Sequence, residues 1–263
     1  MIRSAVLIVV AYRPGVQEVE RLRGCLFSLD PAIGYVVVSN AHQEGSAVEA
    51  LREGADFFLA NTQNPGYGRA VNQAVSLLRQ RGAMPAYVGA LNTDLAWRDG
   101  ALETLLFWMQ EHGDVVIAVP QLVNPAGVPQ KLCKRHPTLL SLFSRRFLGE
   151  HLKPRWLKRY DRWCVMADQD YTQPFEVPYL SGCCMLIRGD AFLAVGGFDE
   201  RFFLYLEDAD ITRALAKEGR TVHAPVAEVE HHWGRGNHSS CRLTMVNIHS
   251  AWLYFNKWGW RLW

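Results

Sequence analysis

Residues 4–11 read SAVLIVVA, an unbroken apolar run rich in β-branched side chains, and similar runs recur along the chain between segments of helical length. A strand without a polar face has to be covered on both sides, as happens in a parallel sheet lying between helices. Strands are expected at 4–11, 35–39, 56–60, 86–91 and 114–119. Helices are expected at 46–53, 69–80 and 99–112, and in the segment after Gly15 where Val16, Val19, Leu22 and Leu26 recur at helical spacing. Five strands connected through helices imply right-handed βαβ units and an open α/β sheet. Two more strands are expected at 179–187 and 221–224.

The chain has 263 residues, 49% of them hydrophobic, enough for one main domain with one sizeable core. The rhythm breaks between 120 and 178, where prolines, glycines and a cluster of basic residues collect. Residues 131–162 carry ten Lys or Arg against Glu150 and Asp161, a local +8 in a chain of net +2. Such asymmetry suits a polyanion or a membrane surface, although a solvated basic face has the same composition. Within it Leu139, Leu140, Leu142, Phe143, Phe147 and Leu148, with Arg145 and Arg146, suggest an amphipathic helix. The tail 252–263 has four tryptophans, Tyr254, Phe255, Lys257 and Arg261, and no acid, a pattern fit for a membrane interface or for folding back on the core. No run of ~20 apolar residues is present to span a bilayer. Six cysteines without a CxxC pair, and an apolar start without a cleavage site, point to a reducing cytoplasm, with peripheral contact to the inner membrane face left open.

Ligands of open parallel sheets sit beyond the carboxyl ends of the strands. The first strand ends in Ala11-Tyr12-Arg13-Pro14, without the Gly pattern of a dinucleotide site. The third leads through Asn64, Gly66 and Gly68 into a helix, a turn that lets backbone approach a ligand and amides meet a phosphate. The fourth ends in Asn92-Thr93-Asp94. Magnesium or manganese on a nucleoside diphosphate needs one or two protein carboxylates, and Asp94 is placed to supply one. His231, near a later strand end, offers a nitrogen to the same shell. The stretch FFLYLEDADITR at 202–213 packs Glu207, Asp208 and Asp210 into four positions. Acids so crowded repel unless a cation, a helix N-terminus or a substrate offsets them. Helix capping accounts for Asp208 alone, so the cluster reads as a chemical centre.

Taken together, AVLIVVAY, NPGYGRAVNQAV, LNTDL, PQLVNPAGVPQ with KRHPTLLSL, the long block from YLSGCCMLIR to EDADITRALAKEG, and VEHHW resemble the family 2 inverting glycosyltransferases, specifically their rhamnosyltransferase-like branch. The resemblance implies a GT-A fold over 1–230, divided into a nucleotide-binding half (1–119), a basic excursion (120–178) and an acceptor half (179–230), with an extension at 231–263. It implies Asp208 as general base, Glu207 as the neighbour positioning the acceptor, and Asp94 as what remains of a DxD-type metal motif, with His231 beside it. A nucleotide-diphosphate-sugar donor is expected at Ala11, Tyr12, Arg13, Ser39, Asn64, Gly66, Gly68, Asn72, Asn92 and Thr93. The cofactor is expected to be Mg2+ or Mn2+, and the acceptor a lipid-pyrophosphate-linked saccharide; no nucleic acid partner is expected. The expected reaction is transfer of L-rhamnose from dTDP-rhamnose. The alternatives are a UDP-galactofuranose or other UDP-hexose enzyme, or a non-catalytic carbohydrate binder of the same fold. The family's Asp at the end of the second strand is replaced here by Ser39, which leaves the nucleotide open.

Overall fold

The computed structural model describes residues 3–232 and 241–263. The first half follows the expected alternation: β1 (Ala5–Tyr12), α1 (Val16–Phe27), β2 (Ile33–Asn40), β3 (Phe57–Ala60), α2 (Tyr67–Gln80), β4 (Tyr87–Leu91), β5 (Leu95–Trp97), α3 (Ala101–Glu111) and β6 (Val115–Val123). The helix expected at 46–53 is only a 3₁₀ turn, Ala47–Leu51. The basic excursion holds two helices, α4 (Leu139–Phe147) and α5 (Arg155–Cys164), followed by β7 (Phe175–Glu176), β8 (Cys184–Arg188), α6 (Gly189–Ala194), α7 (Glu207–Leu215), β9 (Arg220–His231) and α8 (Cys241–Trp258). Thr138 caps α4 by accepting the Ser141 amide at 3.1 Å.

The sheet runs β3-β2-β1-β4-β8-β6-β9-β5, with β7 also on β9. The first four strands are parallel, and β8 enters antiparallel between β4 and β6, pairing Leu91 with Cys184 and Ile117 with Ile187. The sheet is therefore mixed rather than purely parallel. The strand expected at 179–187 begins only at Cys184, because residues 179–183 leave the ladder to meet other elements; the strand expected at 221–224 extends to His231.

Both faces of β1 are covered, as its composition requires. Leu7 and Val9 share one core with Leu22 of α1 and Leu105 and Met109 of α3, while Val6 and Ile8 share another with Val71 and Val75 of α2 and Ile211 of α7. A third cluster joins Phe202, Leu206 and Ala209 to Tyr254 and Phe255 of α8, so half of the aromatic tail folds back on the core. The chain end runs on beside α4, where the carbonyls of Arg261 and Leu262 accept the amides of Leu139 and Leu140 at 2.9 and 3.0 Å. Among the described residues no helix is long and apolar enough to cross a membrane. Strand β1 has β2 on one side and β4 on the other, so the chain switches direction there and leaves a crevice beyond their carboxyl ends.

Candidate active site

Asp94 follows β4 at that crevice, and one of its oxygens, Oδ1, is buried with no hydrogen-bond partner. Its other oxygen, Oδ2, lies 3.4 Å from Nε2 of His231, which β9 delivers through the pairing of Leu95 with His231. Gln130 holds the imidazole from behind: its Nε2 donates to the His231 carbonyl at 3.0 Å, and its Oε1 stands 2.8 Å from Nδ1. That arrangement places the proton on Nδ1 and turns Nε2 toward Asp94, the orientation a metal-ligating histidine needs. The Asp94 carbonyl accepts the His232 amide at 2.8 Å, which fixes the strand end to β9. Next to it, the buried Thr93 hydroxyl donates to Glu18, whose other oxygen receives the Gly15 amide at the start of α1. The turn is thus tied down on both sides before any ligand arrives.

The acid pair is built differently. Tyr205 and Leu206 precede α7 with φ of 70° and 63°, left-handed values that cost non-glycine residues roughly 1–3 kcal/mol each. Neighbouring elements hold them: Leu206 is buried in the third cluster, Ser250 donates to the Leu204 carbonyl at 2.8 Å, and the Tyr67 amide donates to Phe203 at 3.3 Å. The sharp turn presents Glu207 and Asp208 as the first residues of α7. Asp208 Oδ2 accepts the Gly182 amide at 3.1 Å and Oδ1 its neighbour's amide at 3.0 Å. Gly182 is in turn pinned by the Tyr67 hydroxyl, which donates to its carbonyl at 2.8 Å, and a Cβ at 182 would sit 3.0 Å from that of Asp208.

Glu207 is buried, with Oε2 unpartnered. Burial, reinforced by the adjacent Asp208 charge, pushes its carboxyl up to about 8. Burial draws Lys134 below its usual range while Asp208 pulls it back, and its ammonium lies 4.2 Å from the centre of the Tyr179 ring. Burial and the same acid pair raise the hydroxyls of Tyr67 and Tyr179 well above the ordinary tyrosine range. Lys134, Tyr179, Tyr67, Gln130 and Glu18 were not singled out in the sequence. Lys134 and Tyr179 lie within matched blocks, but their convergence on Asp208 depends on residues 179–183 leaving the sheet.

The two centres meet at consecutive residues. The Asn92 amide donates to the Cys183 carbonyl at 2.9 Å, while Gly182 donates to Asp208, so the backbone leading to Asp94 and the Asp208 carboxylate are both fastened to the chain entering β8. Cys183 is raised to about 12, first by burial, with Asp94 and Asp208 both contributing.

Asp210, the third acid, turns away. It is buried against α8, where Lys257 reaches it at 2.9 Å and the Trp258 indole donates to it at 2.7 Å. Its role is to dock the two helices, which corrects the reading of three acids as one centre.

The remaining candidates divide in two. Ala11, Tyr12 and Ser39 come together at the crevice through the β1–β2 register, with the Arg13 guanidinium 5.5 Å from the Tyr12 ring centre. Ser39 has His42 Nδ1 at 3.0 Å, and His42 Nε2 stands 3.2 Å from Glu49, so a carboxylate lies one ring behind the serine. Asn64, Gly66, Gly68 and Asn72 have protein partners. Asn64 accepts the Gly66 amide at 3.0 Å; a Cβ at Gly66 (φ 97°) would strike the Phe203 carbonyl, and one at Gly68 the Phe198 side chain. Asn72 clamps the Phe198 backbone in both directions, at 2.8 and 3.0 Å. The glycines of this turn thus serve close packing against the segment leading to Glu207.

An open mixed sheet with one carboxylate beyond β4 and an acidic helix start beside it defines a glycosyltransferase of the GT-A fold. Two solved structures share that architecture. GalNAc-T7 with UDP, GalNAc and Mn2+ superposes over 88% of this chain at TM-score 0.63 and 15% identity, and the mannosyltransferase PcManGT of Pyrobaculum calidifontis with GDP-Man and Mn2+ over 90% at 0.60 and 16%. The chain spans 44% and 59% of those two proteins. It belongs to glycosyl transferase family 2, whose model matches residues 18–196 and so includes Asp94 but stops before Glu207. It is also 28% identical, over 94% of its length and 85% of the relative's, to the N-acetylglucosaminyl-diphospho-decaprenol L-rhamnosyltransferase of Mycobacterium tuberculosis (strain CDC 1551 / Oshkosh).

Proposed function

We propose that the chain transfers L-rhamnose, with inversion, from dTDP-rhamnose to a lipid-pyrophosphate-linked saccharide at the cytoplasmic face of the membrane. The carrying observation is the junction at Gly182 and Cys183, which brings the Asp94 turn and Asp208 to one place. The decaprenol-linked acceptor of the mycobacterial relative supports the acceptor class, and the nucleotides in the solved neighbours support the donor class.

The residues around Asp94 fit a divalent cation. A buried carboxylate oxygen without a partner and an imidazole nitrogen turned toward the same acid make a short O,N donor set of the kind that phosphate oxygens and water complete around Mg2+ or Mn2+. Such an ion, when bound, neutralises charge on the departing diphosphate. In the acceptor half Asp208, oriented by two amides, keeps lone pairs on both oxygens for an acceptor hydroxyl and takes its proton as the new glycosidic bond forms. Burial and the Asp208 charge favour the protonated form of Glu207, which can donate a hydrogen bond that holds the acceptor.

The test is purified protein with dTDP-rhamnose, Mg2+ and a synthetic lipid-linked acceptor. Rhamnosylated product is expected, and activity should disappear on exhaustive chelation. Preference for UDP-galactofuranose would overturn the donor assignment; turnover with neither donor, together with donor binding, would leave a carbohydrate binder.

A further inference from the structure

Helix α5 has a charge pattern that the transfer reaction does not use. Arg155, Lys158, Arg159 and Arg162 stand at i, i+3, i+4 and i+7, one stripe along the helix, while Leu157, Asp161 and Cys164 occupy the opposite side toward α4. The four cations line one open cavity of about 590 Å³ together with Trp163, Ala167 and Asp168. Among the described residues none of the four has a carboxylate within ion-pair distance: Asp168 is taken by Arg135 at 2.7 Å, and Asp161 by Lys153 at 2.8 Å. Four like charges on neighbouring turns repel one another. Elsewhere in the excursion Lys153 and Arg135 do meet acids.

Trp156 and Trp163, also seven residues apart, flank the stripe with 61% and 48% of their surface exposed. Trp163 also meets the Arg135 guanidinium at 4.5 Å and the Tyr160 ring at 5.9 Å, yet half of it stays open to solvent. Half-exposed indoles beside a row of cations without carboxylate partners match the headgroup region of an anionic bilayer, where the cations meet lipid phosphates and the indoles sit at the boundary. The indoles border the cations along one side, the order in which a bilayer boundary presents its headgroup charge and its interfacial layer, which favours a bilayer as the occupant. The stripe is also close in the chain to the chemistry. The Arg135 amide donates to the Cys164 carbonyl at the end of α5 at 2.9 Å, and Lys134, the preceding residue, faces Asp208.

We propose that the cationic stripe of α5, with Trp156 and Trp163, is a docking surface for an anionic phospholipid bilayer. The proposal deepens the functional reading above, since docking there brings the acid pair to the surface in which a lipid-linked acceptor resides.

The experiment is co-sedimentation of the full chain with phosphatidylcholine vesicles, with and without a third of phosphatidylglycerol, at rising salt. The chain should bind the anionic vesicles and release from them as salt rises. Replacing all four cations by Gln, which has a similar helix propensity, should lower vesicle affinity roughly a hundredfold or more. The W156A/W163A pair should weaken binding in a way that salt does not reproduce. Circular dichroism checks that each variant is folded, and transfer to a short-chain, water-soluble acceptor should stay unchanged in the Gln variant while transfer to a long-chain acceptor in vesicles falls. Equal binding to neutral and anionic vesicles, or undiminished binding by the Gln variant, would overturn the proposal. So would self-association that depends on the four cations while the vesicles stay bare, which would assign the stripe to a second copy. Vesicle binding is read without turnover, so failure of the donor assignment and failure of the docking surface are distinguishable.

Discussion

Asp94 and Asp208 both border the chain entering β8, yet they are held in opposite ways. Asp94 lies where any open α/β sheet puts a ligand-facing residue, just past a buried strand, and its partner His231 arrives through ordinary strand pairing. Asp208 owes its position to two left-handed residues, a glycine from another segment and buried groups drawn from across the sequence. The Asp94 turn therefore inherits its geometry from the sheet, whereas the Asp208 turn is assembled by long-range contacts that hold a strained backbone. Under the proposed function, regular backbone suffices for a group that answers to phosphate, which every nucleotide-diphosphate donor carries. Under the same proposal the Asp208 side has to fit a particular saccharide, and its local irregularity is where such fitting can be built.

Substitutions can break or sharpen the contrast. The largest effect is expected from Asp208→Asn, which should lower kcat by roughly 10²–10⁴-fold while thermal stabilisation by the donor persists; unchanged kcat would remove Asp208 as the base. Asp94→Asn should instead abolish the metal-dependent part of donor stabilisation, with Gln130→Ala costing about 10–100-fold in metal affinity through loss of the imidazole's support, both read by titration of the metal in donor-binding assays.

Asp210→Ala should act on stability alone. It removes a buried carboxylate that accepts from Lys257 and Trp258, and denaturant unfolding should show a loss of about 2–4 kcal/mol, with the folded fraction still turning over. Comparable damage to kcat per folded molecule would return Asp210 to the site.

The smallest effect concerns Glu207. Its carboxyl is raised to about 8 from an ordinary 4.5, so between those values the folded state binds more protons than the unfolded one, and this group makes stability fall as pH rises. Glu207→Gln should flatten the pH dependence of the melting temperature across that window relative to the parent chain. An unchanged slope would mean that Glu207 is not held protonated.

The same division explains what could be read before the fold was known. Strands β1, β2 and β4 announce themselves because burial on both faces writes a local code, and Asp94 follows from the end of one of them. The entry to β8 is not legible locally: YLSGC has strand composition, yet its backbone turns aside to reach Lys134, Asp208 and Asn92, and no local pattern records such obligations. Asp210 reads with its neighbours in the sequence because spacing does not tell on which side of a helix a partner will lie. The tail divided as well: Tyr254, Phe255 and Trp258 pack inward, while Trp252, Trp260 and Trp263 stay exposed. At Ser39 the missing acid was noticed, but Glu49, reaching back through His42, required three-dimensional proximity.

The junction at Gly182 and Cys183 has a mechanical consequence. With the Asn92 turn hung from one residue and Asp208 from the next, sliding of β8 carries both jaws along a common bar. The gap between them then survives breathing motions that would separate groups mounted on independent elements. For a transfer whose rate depends on fractions of an ångström, a shared mount keeps the tool aligned while the rest of the machine moves.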